Sequence, residues 1–325
     1  MTTPSMQRSA ATWAGLCAAV LGLGMALPGC TSPNASTAPP TASAAGAVPA
    51  DAPAQTLRDV AYASRSAAQK MDIYMPAGAG PFPAVVLIHG GAFKRGDKAM
   101  DAANAAALVA QGYVAVAINY RLSGEATFPA AVHDAKAAVR FLRARASDYR
   151  IQPSKIGVWG ASAGGHLAAM LGTSGGVAEL EGTEGAHLGV SSRVQAVVDW
   201  FGPINFATMV SEGRALGFAA HYNVDNESAY LGVDANSPAH LALVQRSNPA
   251  TYIDAQDPPF FIQVGSADPL IPYTQSLNFH AALKAVLGEA KVSVEKLEGA
   301  GHGGPQFGSA ANLSKVLGFL GQHLK

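Results

Sequence analysis

Six short runs of apolar residues rich in β-branched side chains punctuate the chain, at 84–89, 114–118, 156–159, 194–198, 260–264 and 292–297. Runs of this kind are expected of strands buried on both faces of a parallel sheet. Between them lie helical stripes: Ala131, Val132, Ala135, Ala138, Val139 and Leu142 share one helix face, and Phe279, Leu283, Val286 and Leu287 share another. Strand and helix therefore alternate. The expected class is α/β, a doubly wound and mostly parallel sheet whose functional edge lies at the carboxyl ends of the strands. Two candidate strands at 57–62 and 70–74 precede this core, the second ending before Pro76.

A chain of 325 residues with 49% hydrophobic composition can bury a substantial core. Two inserts interrupt the alternation. Residues 173–193, rich in Gly and Glu, are expected as a surface loop, and residues 204–248, with mixed short helical patterns, as a small cap over the site. The folded domain is expected over 56–325. Lys plus Arg equals Asp plus Glu at 22 each, and no basic run breaks that balance, so nucleic-acid binding is set aside.

The run at 156–159 leads into Gly160-Ala161-Ser162-Ala163-Gly164, and small or helix-forming residues follow as far as Met170. With 35 glycines in the chain, a G-x-S-x-G pattern is weak by itself. Its context carries it. A serine on a sharp strand-to-helix turn is a nucleophile elbow, and only small neighbours let strand and helix approach so closely. Serine is a poor nucleophile at neutral pH, so it needs a base, and the base needs an orienting group. After the run at 260–264 comes Gly265-Ser266-Ala267-Asp268, and after the run at 292–297 comes Gly299-Ala300-Gly301-His302-Gly303. The candidate triad is Ser162, Asp268 and His302, in the chain order an elbow requires. Asp199, also near a strand end, is the weaker candidate for the acid. His166, His133 and His280 are read as packing or surface residues.

Charge on a tetrahedral intermediate needs backbone N–H donors. His89-Gly90-Gly91-Ala92-Phe93 follows the third expected strand, and the donors expected are the amides of Gly91, Ala92 and Ala163. The set calls for no metal and no cofactor. Phe93, Trp200, Phe201 and Tyr222 could line an apolar substrate pocket or pack as core and lid, and the residues leave both open.

These stretches, with Met71-Asp72-Ile73-Tyr74, Asn119-Tyr120-Arg121-Leu122, residues 128–165, Val198-Asp199-Trp200-Phe201-Gly202-Pro203 and Asp257-Pro258-Pro259-Phe260, resemble the α/β-hydrolase superfamily from about Val60 onward. Within it they are similar to the bacterial esterase and lipase branch that includes BD-FAE (feruloyl-esterase-like) and hormone-sensitive-lipase-like proteins. Ala92 stands where many members have a third glycine. Ala161 replaces the acidic residue often found before the nucleophile in hormone-sensitive-lipase-like members, which favours BD-FAE. The resemblance implies a serine hydrolase acting on small carboxylic esters, with short acyl or aryl groups. Amide hydrolysis by the same triad is the alternative. A non-catalytic surface-binding lipoprotein is the third reading, and an intact Ser, Asp and His set opposes it.

In the first 29 residues Arg8 is the only charged side chain, and an apolar run at 11–27 leads to Leu27-Pro28-Gly29-Cys30. The run is too short for a spanning helix and reads as an export signal. The tetrapeptide resembles the lipobox of bacterial lipoproteins, which implies lipidation of Cys30, an exported membrane-anchored protein and, with Thr31 next, the outer membrane or periplasm. Residues 30–55, mainly Ser, Thr, Ala and Pro, are expected to be a disordered tether. Cys17 lies within the signal, so Cys30 has no partner for a disulfide in the mature chain. Oligomeric state is not legible.

Overall fold

The computed structural model describes residues 49–217 and 224–325. The expected signal segment, Cys30, most of the expected tether and Tyr222 lie outside the described residues. The last part of that tether is already tied to the body: Ala52 is buried, its carbonyl accepts from Gly78 N at 2.7 Å, and Arg150 donates to the carbonyl of Pro53.

One sheet holds β1 (Gln55–Ala61), β2 (Lys70–Met75), β3 (Phe82–Ile88), β4 (Val114–Ile118), β5 (Ile151–Ala161), β6 (Val197–Trp200), β7 (Phe260–Gly265) and β8 (Val292–Leu297) in the order β1-β2-β4-β3-β5-β6-β7-β8. β2 runs antiparallel to both its neighbours, and β4 through β8 pair in parallel with β3 among them. The chain steps one way from β3 to β4 and the other way from β3 to β5. Their carboxyl ends thus flank the switch point where doubly wound sheets open a crevice.

Alternate residues of the apolar runs feed two cores. Val86, Ile88, Val116 and Val158 pack on one face with α2 (Ala130–Ala144), α3 (Ala163–Thr173) and Phe279 and Leu283 of α8 (Tyr273–Leu287). Val85, Leu87, Ala115 and Trp159 pack on the other with α1 (Ala102–Ala110) and α9 (Ala310–Leu324). Burial on both faces is why the runs show so little polar alternation. The run at 194–198 becomes a strand only from Val197, and the strand continues through Asp199 and Trp200. A buried carboxyl thus occupies a strand position, which an apolar-run criterion misses.

The insert at 173–193 is not a plain surface loop. It forms α4 (Ala178–Glu181) and brings carboxylates to buried cations on α2. Lys136, fully buried, donates from Nζ to the carbonyl of Ser174 at 2.6 Å and pairs with Glu181 at 2.9 Å, while Arg140 pairs with the same carboxylate at 3.2 Å. Nearby, Arg121 bridges Asp134 at 2.7 Å and Glu184 at 3.0 Å. Two glutamates that look solvated in the sequence are needed here because buried cations without counterions are costly. The second insert contributes α5 (Phe206–Ala215), α6 (Asp225–Leu231) and α7 (Leu241–Arg246).

Replacing Glu181 by Ala leaves two buried cations with backbone partners only, and the expected loss is about 3–5 kcal/mol in urea unfolding. A loss below about 1 kcal/mol would show that these cations do not depend on Glu181.

Candidate active site

Ser162 joins β5 to α3 with φ 56° and ψ −122°, a conformation that L-residues rarely adopt. Its N–H donates to the carbonyl of Trp200 at 2.8 Å, and its own carbonyl accepts from His166 N at 3.0 Å. Small residues make this turn possible. A methyl at Gly164 would collide with the carbonyl of Ile88 on β3, and one at Gly165 would collide with the Asp199 carboxyl on β6. Every residue of α3 is buried.

The structure brings Ser162, His302 and Asp268 together across long stretches of chain. His302 Nε2 lies 2.9 Å from Ser162 Oγ, and His302 Nδ1 lies 2.8 Å from Asp268 Oδ2. The carboxylate favours the tautomer in which Nδ1–H donates to it, leaving Nε2 to accept from the serine hydroxyl. Asp268 Oδ1 accepts from the amides of Leu270 and Ile271 at 2.8 and 2.9 Å, so the acid is itself oriented. The acid and histidine loops interlock: Ala267 N donates to the carbonyl of Ala300 at 2.9 Å, and a side chain at Gly265 would strike that carbonyl. Phe201 packs edge-on against His302 with ring centroids 4.8 Å apart.

Asp199 does not join this relay. Its Oδ1 accepts from Gly202 N at 3.0 Å, and among the described residues no donor meets Oδ2. Burial pushes its carboxyl up to about 7. His166 is likewise structural: it is fully buried, bonded to the carbonyl of Pro203 at 2.7 Å, and burial lowers it to about 4.

Gly91, Ala92 and Phe93 all have positive φ, at 121°, 56° and 59°. Gly91 is required because a Cβ there would overlap the carbonyl of Arg95. Two amides, of Lys94 and Arg95, donate to the Gly91 carbonyl at 3.1 Å and hold the loop. Among the described residues no acceptor meets the N–H groups of Gly91, Ala92 and Ala163, and all three residues line the same cavity as Ser162 and His302. Such amides are suited to an oxyanion.

That cavity has a volume of about 670 Å³. Trp200 and Phe201 form part of its wall, together with Met209, Ile271 and Phe307, which sequence reasoning missed. Phe93 also touches it, but the ring is almost wholly buried and stacks on Tyr230 of α6 at 4.0 Å. Its main role is to fasten the cap. Asp101, Asn226 and Glu227 also line it; no motif marks them. Among the described residues no three His, Cys, Asp or Glu side chains converge as a metal-ligating group.

The sheet order and the succession of serine, aspartate and histidine along the chain are those of an α/β-hydrolase. Solved structures with this fold superpose well. A truncated carbohydrate esterase from gut microbiota is 32% identical with a TM-score of 0.74, covering 84% of this chain and 97% of that one. A bifunctional GH43-CE protein of Bacteroides eggerthii is 34% identical with a TM-score of 0.74, covering 83% of this chain and 35% of that one. The BD-FAE family model matches residues 71–283, and the chain belongs to that family. Esterase LipQ of Mycobacterium tuberculosis is 31% identical over 250 residues, 75% of this chain and 56% of LipQ. The chain spans about half the length of the curated relatives it matches.

The Asp199 carboxyl is held neutral up to about 7 in the fold, against an ordinary value of 3.8. A raised folded value stabilises fully below 3.8, and the gain is lost as pH rises to about 7. Asp101, Glu227 and Asp257 are pushed the same way, and His166 in the opposite sense. These groups are common to wild type and Asp199→Asn, so the difference between the two isolates Asp199. Thermal melts should show that difference moving in the variant's favour from pH 4 to pH 7 and flat above. A pH-independent difference would contradict a neutral Asp199.

Proposed function

We propose that this protein is a serine hydrolase of small carboxylic esters, with short-chain acyl or aryl groups. The observation that carries the proposal is the unbroken relay from Ser162 Oγ through His302 to Asp268, set beside three amides on one cavity that meet no acceptor among the described residues. Ser162 attacks the ester carbonyl while His302 Nε2 takes its proton. The amides of Gly91, Ala92 and Ala163 hold the charge that develops on the carbonyl oxygen. His302 then returns the proton to the leaving alcohol, and Ser162 keeps the acyl group. Water, deprotonated by the same nitrogen, releases the acid. Asp268 stays ionised and steadies the imidazolium throughout. The esterase names of LipQ and of the gut carbohydrate esterase support esters over amides.

Hydrolysis of p-nitrophenyl acetate, butyrate and octanoate tests this. Wild type should turn over the shorter esters best, and Ser162→Ala should lose on the order of 10⁴-fold in kcat. Equal rates in the variant, or no turnover by folded wild type, would refute the assignment.

We also propose that the chain is exported and anchored through a lipid on Cys30. Its support is Leu27-Pro28-Gly29-Cys30 after an apolar run, and the polar stretch that follows. Two or more acyl chains hold a protein at a membrane where one is marginal. Cells fed labelled palmitate should label the wild type in the membrane fraction, and Cys30→Ser should abolish both label and membrane retention. Label retained by the variant would refute it.

A further inference from the structure

Amides contributed by two separate segments can share one oxygen only if the segments keep their spacing. The Gly91 and Ala92 amides belong to the loop after β3, and the Ala163 amide to the first turn of α3. β3 and β5 pair in parallel, but their ladder ends at Ile88 and Gly160, so packing sets the spacing beyond it. The loop does not hold its own shape. Ala92 and Phe93 are consecutive non-glycine residues at φ 56° and 59°, a conformation that persists only where the surroundings enforce it.

Behind the two segments their side chains meet in a cluster of buried rings. Phe93, next to Ala92, packs against His166 of α3 with ring centroids 5.4 Å apart and planes at 90°. Tyr230 of α6 touches both: it stacks on Phe93 at 4.0 Å and stands edge-on to His166 at 5.6 Å. His166 is pinned in turn by Phe206 of α5, stacked at 5.1 Å, and by its own amide, which donates to the Ser162 carbonyl at 3.0 Å. All four rings are buried. Neither Tyr230 nor His166 is among the described residues that line the Ser162 cavity, so both act from behind it. Tyr230 works through its ring alone, because among the described residues no partner meets its hydroxyl. Its backbone is held separately: the Tyr230 carbonyl accepts from Phe128 N at 2.7 Å, a bond that a side-chain substitution leaves in place.

Resting on the esterase reading above, we infer that Tyr230 is a positioning residue: its ring, packed on both Phe93 and His166, fixes the distance between the two halves of the oxyanion hole. The contact that fastens the cap thereby preforms the hole. Without the ring Phe93 loses its stacking partner, the left-handed turn at Ala92 relaxes, and the Gly91 and Ala92 amides drift from that of Ala163. A misplacement on the order of 1 Å is enough to cost about 10²-fold in rate. The cavity wall at Trp200, Phe201, Met209 and Ile271 is untouched by this change, so the loss falls on the transition state and not on binding of the ground state.

The test pairs turnover of p-nitrophenyl butyrate with inhibition by two ketones of the same chain. Propyl trifluoromethyl ketone adds Ser162 Oγ to its carbonyl carbon, the hydroxyl proton passing to His302 and the carbonyl π pair to the oxygen, which then needs the hole. Pentan-2-one scarcely adds and reports the ground state. Tyr230→Leu should lower kcat about tenfold to a hundredfold and raise Ki for the fluoroketone by a similar factor, with Ki for pentan-2-one moved less than about twofold. Tyr230→Phe, which keeps the ring, should stay within about threefold of wild type in all three. Phe93→Leu breaks the same stack from the other side and carries the test by itself if Tyr230→Leu does not fold. Where both fold, the double variant should lose little more than the worse single one, as expected of partners in one contact. Pentan-2-one weakened as much as the fluoroketone, a fluoroketone Ki unmoved, Tyr230→Phe as impaired as Tyr230→Leu, or losses that multiply in the double variant would each overturn the assignment. Where wild type keeps Ser162-dependent turnover in those cases, ester hydrolysis stands and only the role of Tyr230 falls. No Ser162-dependent turnover by folded wild type would overturn both.

Discussion

The site depends on how close α3 is allowed to come to the sheet. Ser162 sits in a backbone conformation that costs on the order of 1–3 kcal/mol, and nothing local to the tripeptide relieves it. The surroundings hold it there. The Trp200 carbonyl takes the Ser162 amide, and the following helix is buried along its whole length between β3, β5 and β6. Gly164 and Gly165 let its first turn lie against the carbonyl of Ile88 and the carboxyl of Asp199. Burial of the rest of the helix offsets the strain of its first residue, so the hydroxyl stays raised above the sheet edge.

The same close packing spreads to the other parts of the relay. The end of β6 touches both Ser162 and His302: the Trp200 carbonyl accepts from the Ser162 amide, and Phe201, itself at φ 45°, presents its ring to His302. Asp199 supports this corner from within by accepting from the Gly202 amide, and burial pushes its carboxyl up to about 7. On the opposite side, the loop after β3 turns through three left-handed residues and is clamped by Tyr230 of α6. The loop that carries the Gly91 and Ala92 amides is therefore packed against α6. Movement of α6 would be felt at Phe93, next to those amides.

Charge is placed with equal economy around α2. The insert at 173–193 carries the counterions for α2, and Gln69 and Arg121 join Asp134 to bind β2, β4 and α2 into one buried polar cluster. Among the described residues that cluster shares no hydrogen bond with the relay, and it fixes the helix that backs the sheet. Its members are legible only as charged residues until their partners are seen.

By itself the sequence determined the sheet, the elbow and the order of the relay. Buried strands and amphipathic helices leave periodic signatures, and the residues around Ser162, Asp268 and His302 are restricted to small types by steric contact over short range. It did not determine what Asp199 does, because a carboxyl at a strand end looks the same whether it faces an imidazole or lies sealed under a helix. Nor did it separate wall from core among Phe93, Trp200 and Phe201, since apolar side chains share one composition and differ only in what packs on them. The polar side of the cavity, with Asp101 and Glu227, was decided by tertiary structure alone. Those residues are more than a hundred positions apart and belong to no motif. They line one cavity because β3 lies beside β5 and because α6 folds back onto the loop after β3, and long-range packing of that kind leaves no local pattern to read.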